Sequence, residues 1–304
     1  MMAERKKRSA LFIVNPHSGT KGKDHIPALL NKYLDPTIFE WDVIFTQYAG
    51  EARELSNAGK EKYDLIVATG GDGTINEIAR PLLHSKAVLG IIPCGSGNGL
   101  ARHLGIPLNQ KKAIQLLNEQ HMMVIDTIKL DSDIFLNVAG VGFDAHIAQS
   151  FASSKKRGFI SYAMIALREI RQFRCTDYQL TIDGEQKIEN ASFLVSIANS
   201  SQFGNNAHIA PTARIADGLM DICILRDFPF WYYPILIYRL FTGRLKNSKY
   251  YQCWQGKEAL IKISNDSDEK FIHLDGDPYP VKNIINFSID PLSLQVACKP
   301  ASDR

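Results

Sequence analysis

The sequence predicts an α/β protein with two domains, of which the first has a parallel sheet covered by helices and the second is antiparallel. Two observations predict this class. Apolar, strand-like runs alternate with residues at helical spacing over roughly the first 120 residues, as in parallel sheets that are covered on both faces. Further along, short β-like runs are punctuated by the turn pairs Asp183-Gly184 and Asp217-Gly218. With 304 residues, of which 45% are hydrophobic, the chain is long enough for two cores.

The first domain is expected to cover residues 1–127. Each of its predicted strands is followed by a loop of small or polar residues and then by helical spacing. The predicted strands are 9–14, 39–46, 63–69 and 87–93. The predicted helices are 26–34, a helix that begins near Glu51, and 75–83, 100–104 and 110–120. In such a domain, ligands bind beyond the carboxyl ends of the strands.

The second domain is expected to cover residues 128–289. One amphipathic helix, 162–173, is predicted among runs of β-branched and aromatic residues. The predicted β-runs from the domain boundary onward are 122–130, 134–141, 178–182, 191–198, 220–225, 258–263, 270–274, 284–289 and 294–297. Residues 290–304 are assigned either to this domain or, as a returning strand, to the first.

Composition excludes several classes of protein. The formal net charge of +3 is small for a nucleic-acid-binding face, so no nucleic acid is expected as a partner. The five cysteines show neither C-x-x-C pairs nor zinc-ligand spacing, which favours reduced thiols in a cytoplasmic protein. The longest apolar stretch, 228–241, is too short to span a bilayer. It can pack in a core or face lipid, and both interpretations stay open.

The turn Gly70-Gly71-Asp72-Gly73-Thr74 directly follows a buried strand and precedes a helix. Its three glycines allow positive φ angles and a close backbone approach, so that amides would contact phosphate. A carboxylate within such a turn repels phosphate unless it binds a cation or accepts a proton. Asp72 is therefore a candidate for Mg²⁺ contact or for general base, the alternative being an ordinary Asp-Gly turn.

Two further small-residue loops follow predicted strands. They are Asn15-Pro16-His17-Ser18-Gly19 and Gly95-Ser96-Gly97-Asn98-Gly99. Either alone is an ordinary turn sequence, but three such loops at strand ends can converge on one crevice. The sequence contains no Gly-x-x-x-x-Gly-Lys-Ser/Thr motif, so a Walker-type phosphate site is excluded.

These loops resemble those of the diacylglycerol kinase catalytic family, which includes bacterial lipid kinases, sphingosine kinases and ceramide kinases. The resemblance covers nearly the whole chain. It extends to Asn137-Val138-Ala139-Gly140-Val141-Gly142-Phe143-Asp144, to Asp217-Gly218-Leu219-Met220-Asp221 and to Asp275-Gly276-Asp277. It implies that the second domain is a β-sandwich and that ATP binds in the cleft between the domains.

The resemblance also implies roles for particular residues. Nucleotide contacts are implied for Asn15, Ser18, Gly19, Thr46, Gly71, Asp72, Gly73, Thr74, Asn76, Glu77 and Ser96. A Mg²⁺ site is implied at Asp217 with the backbone carbonyls of Arg214 and Leu219. Asp277 corresponds to the acid that accepts the proton, and it is one methylene shorter than the usual Glu. Gly99 stands where many bacterial diacylglycerol kinases have Asp, and loop 94–99 is closer to the sphingosine kinase version.

The sequence therefore predicts an ATP- and Mg²⁺-dependent lipid kinase that phosphorylates a hydroxyl of diacylglycerol or of a sphingoid base. Asp72 and Asp277 are the candidate catalytic acids. The expected partners are ATP and a lipid substrate at the membrane surface, with a cytoplasmic, peripheral location and a homodimer left open. The alternatives are an NAD kinase, because that related family shares Gly-Gly-Asp-Gly-Thr, and a non-catalytic nucleotide or lipid sensor on the same fold.

Overall fold

The computed structural model describes residues 6–19, 22–131, 133–152, 159–263 and 270–300. The chain divides into two compact units, residues 1–125 with 293–304 and residues 126–292. The first unit is α/β and the second is mainly antiparallel β, so the predicted fold class is confirmed. No helix among the described residues is long and apolar enough to cross a membrane.

The first unit alternates strands and helices along the chain. Its elements are β1 (Arg8–Val14), α1 (Ile26–Tyr33), β2 (Phe39–Phe45), α2 (Glu51–Gly59), β3 (Leu65–Gly70), α3 (Asp72–Leu82), β4 (Val88–Pro93), α4 (Gly99–His103) and α5 (Gln110–Leu117). The four strands are parallel in the order β2, β1, β3, β4. Every residue of β3 and β4 is buried, as expected of central strands covered on both faces.

The register of this sheet places the ends of its strands side by side. Val14 of β1 pairs with Thr69 of β3, and Gly70 of β3 pairs with Pro93 of β4. The loops that follow β1, β3 and β4 therefore begin at the same edge of the sheet, which is the usual ligand edge of an α/β sheet.

The second unit contains most of the antiparallel strands. In chain order the remaining elements are β5 (Met122–Leu130), β6 (Asp133–Phe135), β7 (Val138–Gly142), α6 (Phe143–Ala152), α7 (Phe159–Glu169), β8 (Thr176–Ile182), β9 (Glu185–Ala198), β10 (Met220–Arg226), α8 (Tyr233–Phe241), β11 (Tyr251–Gly256), β12 (Glu258–Ile263), β13 (Lys270–Leu274), β14 (Asp277–Val281) and β15 (Ile284–Ala297). The strands pair in the order β14, β13, β7, β9, β8, β12, β15, and β10 pairs with β9 and β11. The end of β15 belongs to the first unit, where Val296 pairs with Leu89.

Alternate residues of the same strand enter two different cores. Ile222 and Ile224 of β10 lie in a cluster formed by the strands, whereas Cys223 and Leu225 lie in a cluster that includes Ile147 of α6 and residues of α7 and α8. Because successive side chains of a strand point to opposite faces, both faces of this sheet are buried. The helices α6, α7 and α8 thus cover one face of the antiparallel sheet.

The structure differs from the sequence-based elements at several points. Predicted strand 134–141 is two strands, because the Asp275 carboxylate binds the backbone amides of Leu136, Asn137 and Val138 between them. The runs 284–289 and 294–297 form the single strand β15. The sequence analysis did not predict α6, β11 or β14; β14 contains two prolines and ends the strand order, where proline is tolerated.

Candidate active site

Three loops of the first unit contact one another at the carboxyl ends of the strands. We call them loop 1 (residues 15–19, after β1), loop 2 (70–74, after β3) and loop 3 (94–99, after β4). Asn15 Nδ2 donates to Thr74 Oγ1 at 3.0 Å, which joins loop 1 to loop 2. Gly19 of loop 1 has a φ of +67°, and a Cβ atom there would overlap the carbonyl oxygen of Cys94 in loop 3. The predicted convergence of the three loops is confirmed.

Loop 1 is stabilised by its own hydrogen bonds. Asn15 Oδ1 accepts from the amide of His17 at 2.9 Å, and Ser18 Oγ donates to the carbonyl of Asn15 at 2.9 Å. The buried ammonium of Lys23 donates to the carbonyl of Ser18 at 2.8 Å. Sequence reasoning did not identify Lys23, although a lysine a few residues beyond a phosphate-type loop was a signal for it. Its charge lies beside loop 1.

Gly70 of loop 2 and Gly95 of loop 3 are required by contact and not by φ. Loop 2 does not use the positive φ that its glycines allow, because Gly70, Gly71 and Gly73 all lie outside that region. A Cβ on Gly70 would lie 2.5 Å from Cβ of Thr74, and a Cβ on Gly95 would lie 2.7 Å from Cα of Gly71. The two backbones therefore approach each other directly, and side chains are excluded between them.

Asp72 is the first residue of α3, and its carboxylate binds loop 3. Oδ2 accepts from the amide of Asn98 at 2.8 Å, and Oδ1 accepts from the amide of Gly99 at 2.9 Å. Asn98 has left-handed backbone angles, and its side-chain amide bonds both the amide and the carbonyl of Gly95. Asp72, whose charge would repel a phosphate, thus holds loop 3 in position.

The other predicted nucleotide residues lie around these loops. Thr46 is buried at the end of β2, where its amide donates to the carbonyl of Val14. Asn76 is buried on α3, and its Oδ1 accepts from Nε of Arg80 at 2.7 Å. Glu77 follows it on α3, whereas Ser96 is exposed in loop 3. Ser96, which is the residue of loop 3 predicted to contact nucleotide, is therefore open to solvent.

In the second unit, a buried acid fixes the Asp217-Gly218 turn. Both oxygens of the fully buried Asp126 carboxylate accept backbone amides, Oδ2 from Gly218 and Oδ1 from Leu292, each at 2.7 Å. Gly218 has a φ of +74°, which favours glycine. The sequence analysis did not identify Asp126, although an acid inside the apolar run of β5 was a signal.

The predicted Mg²⁺ residues stand on this turn. Asp217 is exposed, and its Oδ1 accepts from the amide of Leu219 at 3.1 Å. Burial is the main factor that raises the pKa of the neighbouring Asp221 carboxyl to about 6, and the Asp217 charge raises it further. Mg²⁺ binds one or two carboxylates and keeps several waters, so one exposed carboxylate with backbone carbonyls fits it. Among the described residues, no group of three or more His, Cys, Asp or Glu side chains is arranged so that it could hold a metal ion.

The Asp275-Gly276-Asp277 motif forms the turn between β13 and β14. Asp275 and Gly276 both have positive φ, as in the two-residue turns that match strand twist. The Asp275 carboxylate accepts three backbone amides, from Leu136, Asn137 and Val138. Asp277 begins β14 and is exposed. Within the motif, the first acid therefore has the structural role, and the second is open to solvent.

A buried polar cluster lies in the second unit at the Gly-Phe-Asp motif. Asp144 Oδ2 accepts from Ser196 Oγ and pairs with His273 Nε2, each at 3.1 Å. His273 is buried, and its Nδ1 has no hydrogen-bond partner among the described residues. A Cβ on Gly140 would overlap the Asp144 carboxylate, so the glycine makes room for this pair.

The parallel sheet with contacting glycine loops and the antiparallel β unit define the class of this protein as a two-unit α/β protein whose glycine loops meet at the ligand edge of its parallel sheet. Residues 9–130 match the diacylglycerol kinase catalytic domain, and residues 137–298 match the YegS C-terminal NAD kinase beta sandwich-like domain. The chain therefore belongs to the diacylglycerol kinase catalytic family, as the sequence predicted. It is a lipid kinase, which transfers phosphate from ATP to an alcohol group.

Individual relatives are consistent with this membership. The chain is 32% identical to a diacylglycerol kinase of Bacillus subtilis (strain 168), over 72% of this chain and 74% of that protein. It is 34% identical to a protein named probable lipid kinase YegS-like of Chromohalobacter salexigens, over 58% of each. Among solved structures, a diacylglycerol kinase of Bacillus anthracis has a similar fold, with a TM-score of 0.73 at 22% identity, covering 98% of this chain and 99% of that one.

Proposed function

We propose that this enzyme transfers the γ-phosphate of ATP to a hydroxyl of diacylglycerol at a membrane surface. The observation that supports it best is the contact among loops 1, 2 and 3. At the carboxyl edge of the sheet, the backbones of loops 2 and 3 approach each other directly, with no side chain between Gly71 and Gly95. The diacylglycerol acceptor is inferred from the Bacillus subtilis relative of that name.

The three loops would bind the phosphates of ATP. The close backbone packing at Gly19, Gly71 and Gly95 leaves no side chain between the loops at these positions, so backbone amides would contact the phosphates. The Ser18 hydroxyl and the exposed Ser96 hydroxyl would add hydrogen bonds to phosphate or ribose. Asn15, Thr74 and Thr46 would keep the loops in place, since the first two are bonded to each other and Thr46 is bonded to β1.

We assign different roles to the two candidate catalytic acids. Both oxygens of Asp72 accept amides of loop 3, so we propose that Asp72 acts mainly as a positioning residue for the phosphate loops. Asp277 is exposed at the start of β14, and its backbone is fixed by the Asp275-Gly276 turn. We propose that Asp277 accepts the proton of the lipid hydroxyl as that oxygen attacks the γ-phosphate.

Asp217 and the carbonyls of Arg214 and Leu219 would hold Mg²⁺. Bound Mg²⁺ neutralises negative charge during phosphoryl transfer. Asp126 positions the turn at residues 217–219, because its carboxylate accepts the amide of Gly218. Peripheral binding to the membrane follows from a bilayer-resident acceptor. The cleft between the domains and the homodimer remain predictions.

The test is a transfer assay with radiolabelled ATP and Mg²⁺. The acceptors are diacylglycerol, sphingosine, ceramide and NAD, each incubated separately with the protein. We expect transfer to diacylglycerol. Transfer to NAD alone would contradict the proposal, and so would ATP binding without transfer to any acceptor, which would support a sensor.

A variant pair tests the proton acceptor within the same assay. Loss of a general base lowers kcat by about 10²–10⁴-fold, which we expect for Asp277→Asn with ATP affinity unchanged. Asp131→Asn is the matched control, because Asp131 is another exposed acid of the second unit at a turn with positive φ. Normal kcat in Asp277→Asn would exclude Asp277 as the base.

A further inference from the structure

One side of the second unit carries an unusual density of exposed apolar side chains. Fourteen large hydrophobic side chains are exposed among the described residues, and eight of them lie on α7 or within residues 230–241. We call these eight the apolar face: Met164, Leu167, Phe230, Trp231, Ile235, Ile237, Tyr238 and Phe241. Scattered exposed apolar residues are normal, but a contiguous group indicates a surface that contacts something else.

The local structure explains why these side chains point outward. Tyr232 and Leu236 are buried and hold the start of α8 against the core. On α8, Ile237, Tyr238 and Phe241 follow helical spacing on the outer side, while Trp231 just before the helix is 67% exposed. Residues 230–241 therefore have two apolar sides, and only one of them packs in the core.

The residues just after α7 lie against the start of this segment. The guanidinium of Arg171 lies over the ring of Phe230, 5.4 Å from its centroid. An open pocket of about 400 Å³ lies there, lined by Ile170, Arg171, Phe228, Phe230 and Tyr233. A cation next to an apolar pocket is suited to a ligand with a negative head and an apolar tail.

Along residues 228–250, which carry most of the apolar face, the charged side chains have a single sign. Residues 228–250 contain four cations and no Asp or Glu, and the cations are Arg239, Arg244, Lys246 and Lys249. Two of the cations pair with aromatic hydroxyls: Arg239 donates to the Tyr232 hydroxyl at 2.5 Å, and Arg244 donates to that of Tyr238 at 3.1 Å. Exposed Trp and Tyr beside Lys and Arg are typical of side chains at a membrane interface.

We propose that the apolar face is the surface by which this chain docks on an anionic lipid bilayer. The aromatic side chains enter the interface and the cations of residues 228–250 contact anionic headgroups. A second copy is a poorer occupant, because a two-fold contact would bring these cations against their own equivalents. The inference rests on the proposed function only in that a lipid kinase must reach a bilayer.

The test is flotation with vesicles of phosphatidylcholine alone and of phosphatidylcholine mixed with phosphatidylglycerol. We expect the wild-type chain to bind the mixed vesicles and not the neutral ones. Trp231→Ser should weaken that binding about tenfold or more, because it removes the most exposed aromatic anchor. Leu108→Ser is the matched control, since Leu108 is exposed on the first unit, and we expect it to bind normally.

The charge contribution has its own variants. Lys246→Gln with Lys249→Gln should weaken binding about fivefold for each charge removed. Lys32→Gln with Lys62→Gln removes two exposed cations of the first unit and should leave binding unchanged. Quenching of tryptophan fluorescence by brominated lipids tests the wild-type chain directly, so a misfolded variant does not decide the result.

Activity distinguishes this inference from the proposed kinase function. With water-soluble dioctanoylglycerol as acceptor, the Trp231→Ser variant should transfer phosphate at the wild-type rate. With long-chain diacylglycerol in vesicles, the transfer rate of the variant should fall below that of wild type. Vesicle binding without transfer to either lipid would refute the proposed function and leave the docking surface supported. Normal vesicle binding by Trp231→Ser would overturn the inference, and so would a wild-type dimer that this substitution converts to monomer in sedimentation.

Discussion

The carboxylate of Asp72 accepts the backbone amide of Asn98, with 2.8 Å between Oδ2 and the nitrogen. Its other oxygen accepts the amide of Gly99 at 2.9 Å. Asp72 lies on α3 and both amides belong to the segment after β4, so one carboxylate joins two of the three loops. The acid in the glycine turn therefore stabilises the arrangement of the loops themselves.

Asp72→Asn should weaken ATP binding as well as turnover. Asn presents one oxygen and one amide nitrogen, so one of the two loop 3 amides would face a donor. Hydrogen bonds to a charged group contribute about 1.5–3 kcal/mol, so we expect the Kd for ATP to rise about tenfold or more. Calorimetric titration with ATP measures it, and thermal unfolding should show a lower Tm.

The same variant separates positioning from base catalysis. If Asp72 acted only as the proton acceptor, Asp72→Asn would abolish transfer and leave ATP affinity and Tm unchanged. That result would contradict the positioning role and would transfer the base assignment from Asp277 to Asp72.

Gly95→Ala should weaken ATP binding more than Gly71→Ala. A Cβ on Gly95 would lie 2.7 Å from Cα of Gly71 and 2.9 Å from Oδ1 of Asn98, so a backbone must move. A Cβ on Gly71 would lie 3.3 Å from Cα of Gly95, which a small shift can relieve. Gly22→Ala is the control, since the nearest atom is 3.5 Å away. Equal ATP affinities in all three variants would show that the close approach is not needed for binding.

The parallel part of the fold was predictable because its strands are buried on both faces. Such strands are continuous apolar runs, and β3 and β4 are recognisable on that basis alone. The prediction failed for β14, whose prolines argue against a strand unless its place in the strand order is known. The sequence also left open whether the glycines of loop 2 serve positive φ or close approach, since a glycine required by a neighbouring backbone looks the same in sequence as one required by φ.

The candidate site was predictable where its residues are close in sequence. Loops 1, 2 and 3 were identified from short motifs, and the structure brings them into contact. Asp126 was missed, because its partners Gly218 and Leu292 are 92 and 166 residues away in the chain. The role of Asp275 was missed for the same reason. An acid inside an apolar run, such as Asp126, can be noticed in the sequence, but the distant amides that it binds cannot be read from it.

The thiol of Cys175 should react slowly with alkylating reagents at neutral pH. Burial, together with the charge of Asp227, raises its pKa to about 12. A raised pKa keeps the thiol protonated, so its alkylation rate should rise about tenfold per pH unit between pH 7 and 10. In the unfolded chain, the rate should level off above about pH 8.5.

Pulsed labelling with iodoacetamide and peptide mass spectrometry measures this rate. Asp227→Asn removes the charge beside the thiol and should make Cys175 react faster at a given pH. A plateau near pH 8.5 in the folded protein would mean that the thiol is fully solvated.

Asp217→Asn and Asp126→Asn should both raise the Mg²⁺ concentration needed for activity, for different reasons. Asp217 is exposed, so its substitution removes a metal ligand with little change in the free energy of unfolding. Asp126 is buried and accepts two amides, so Asp126→Asn leaves one of them without an acceptor at a cost of about 1–3 kcal/mol. The 217–219 turn should loosen, and the affinity for Mg²⁺ should fall with it.

Mg²⁺ titrations of initial rate, together with denaturant unfolding, separate the two effects. Excess Mg²⁺ should restore part of the rate in Asp126→Asn, whose ligands are intact but less well positioned. It should restore less in Asp217→Asn, which lacks the carboxylate itself. An unchanged Mg²⁺ requirement in Asp217→Asn would place the metal elsewhere in the chain, whatever the stability of Asp126→Asn.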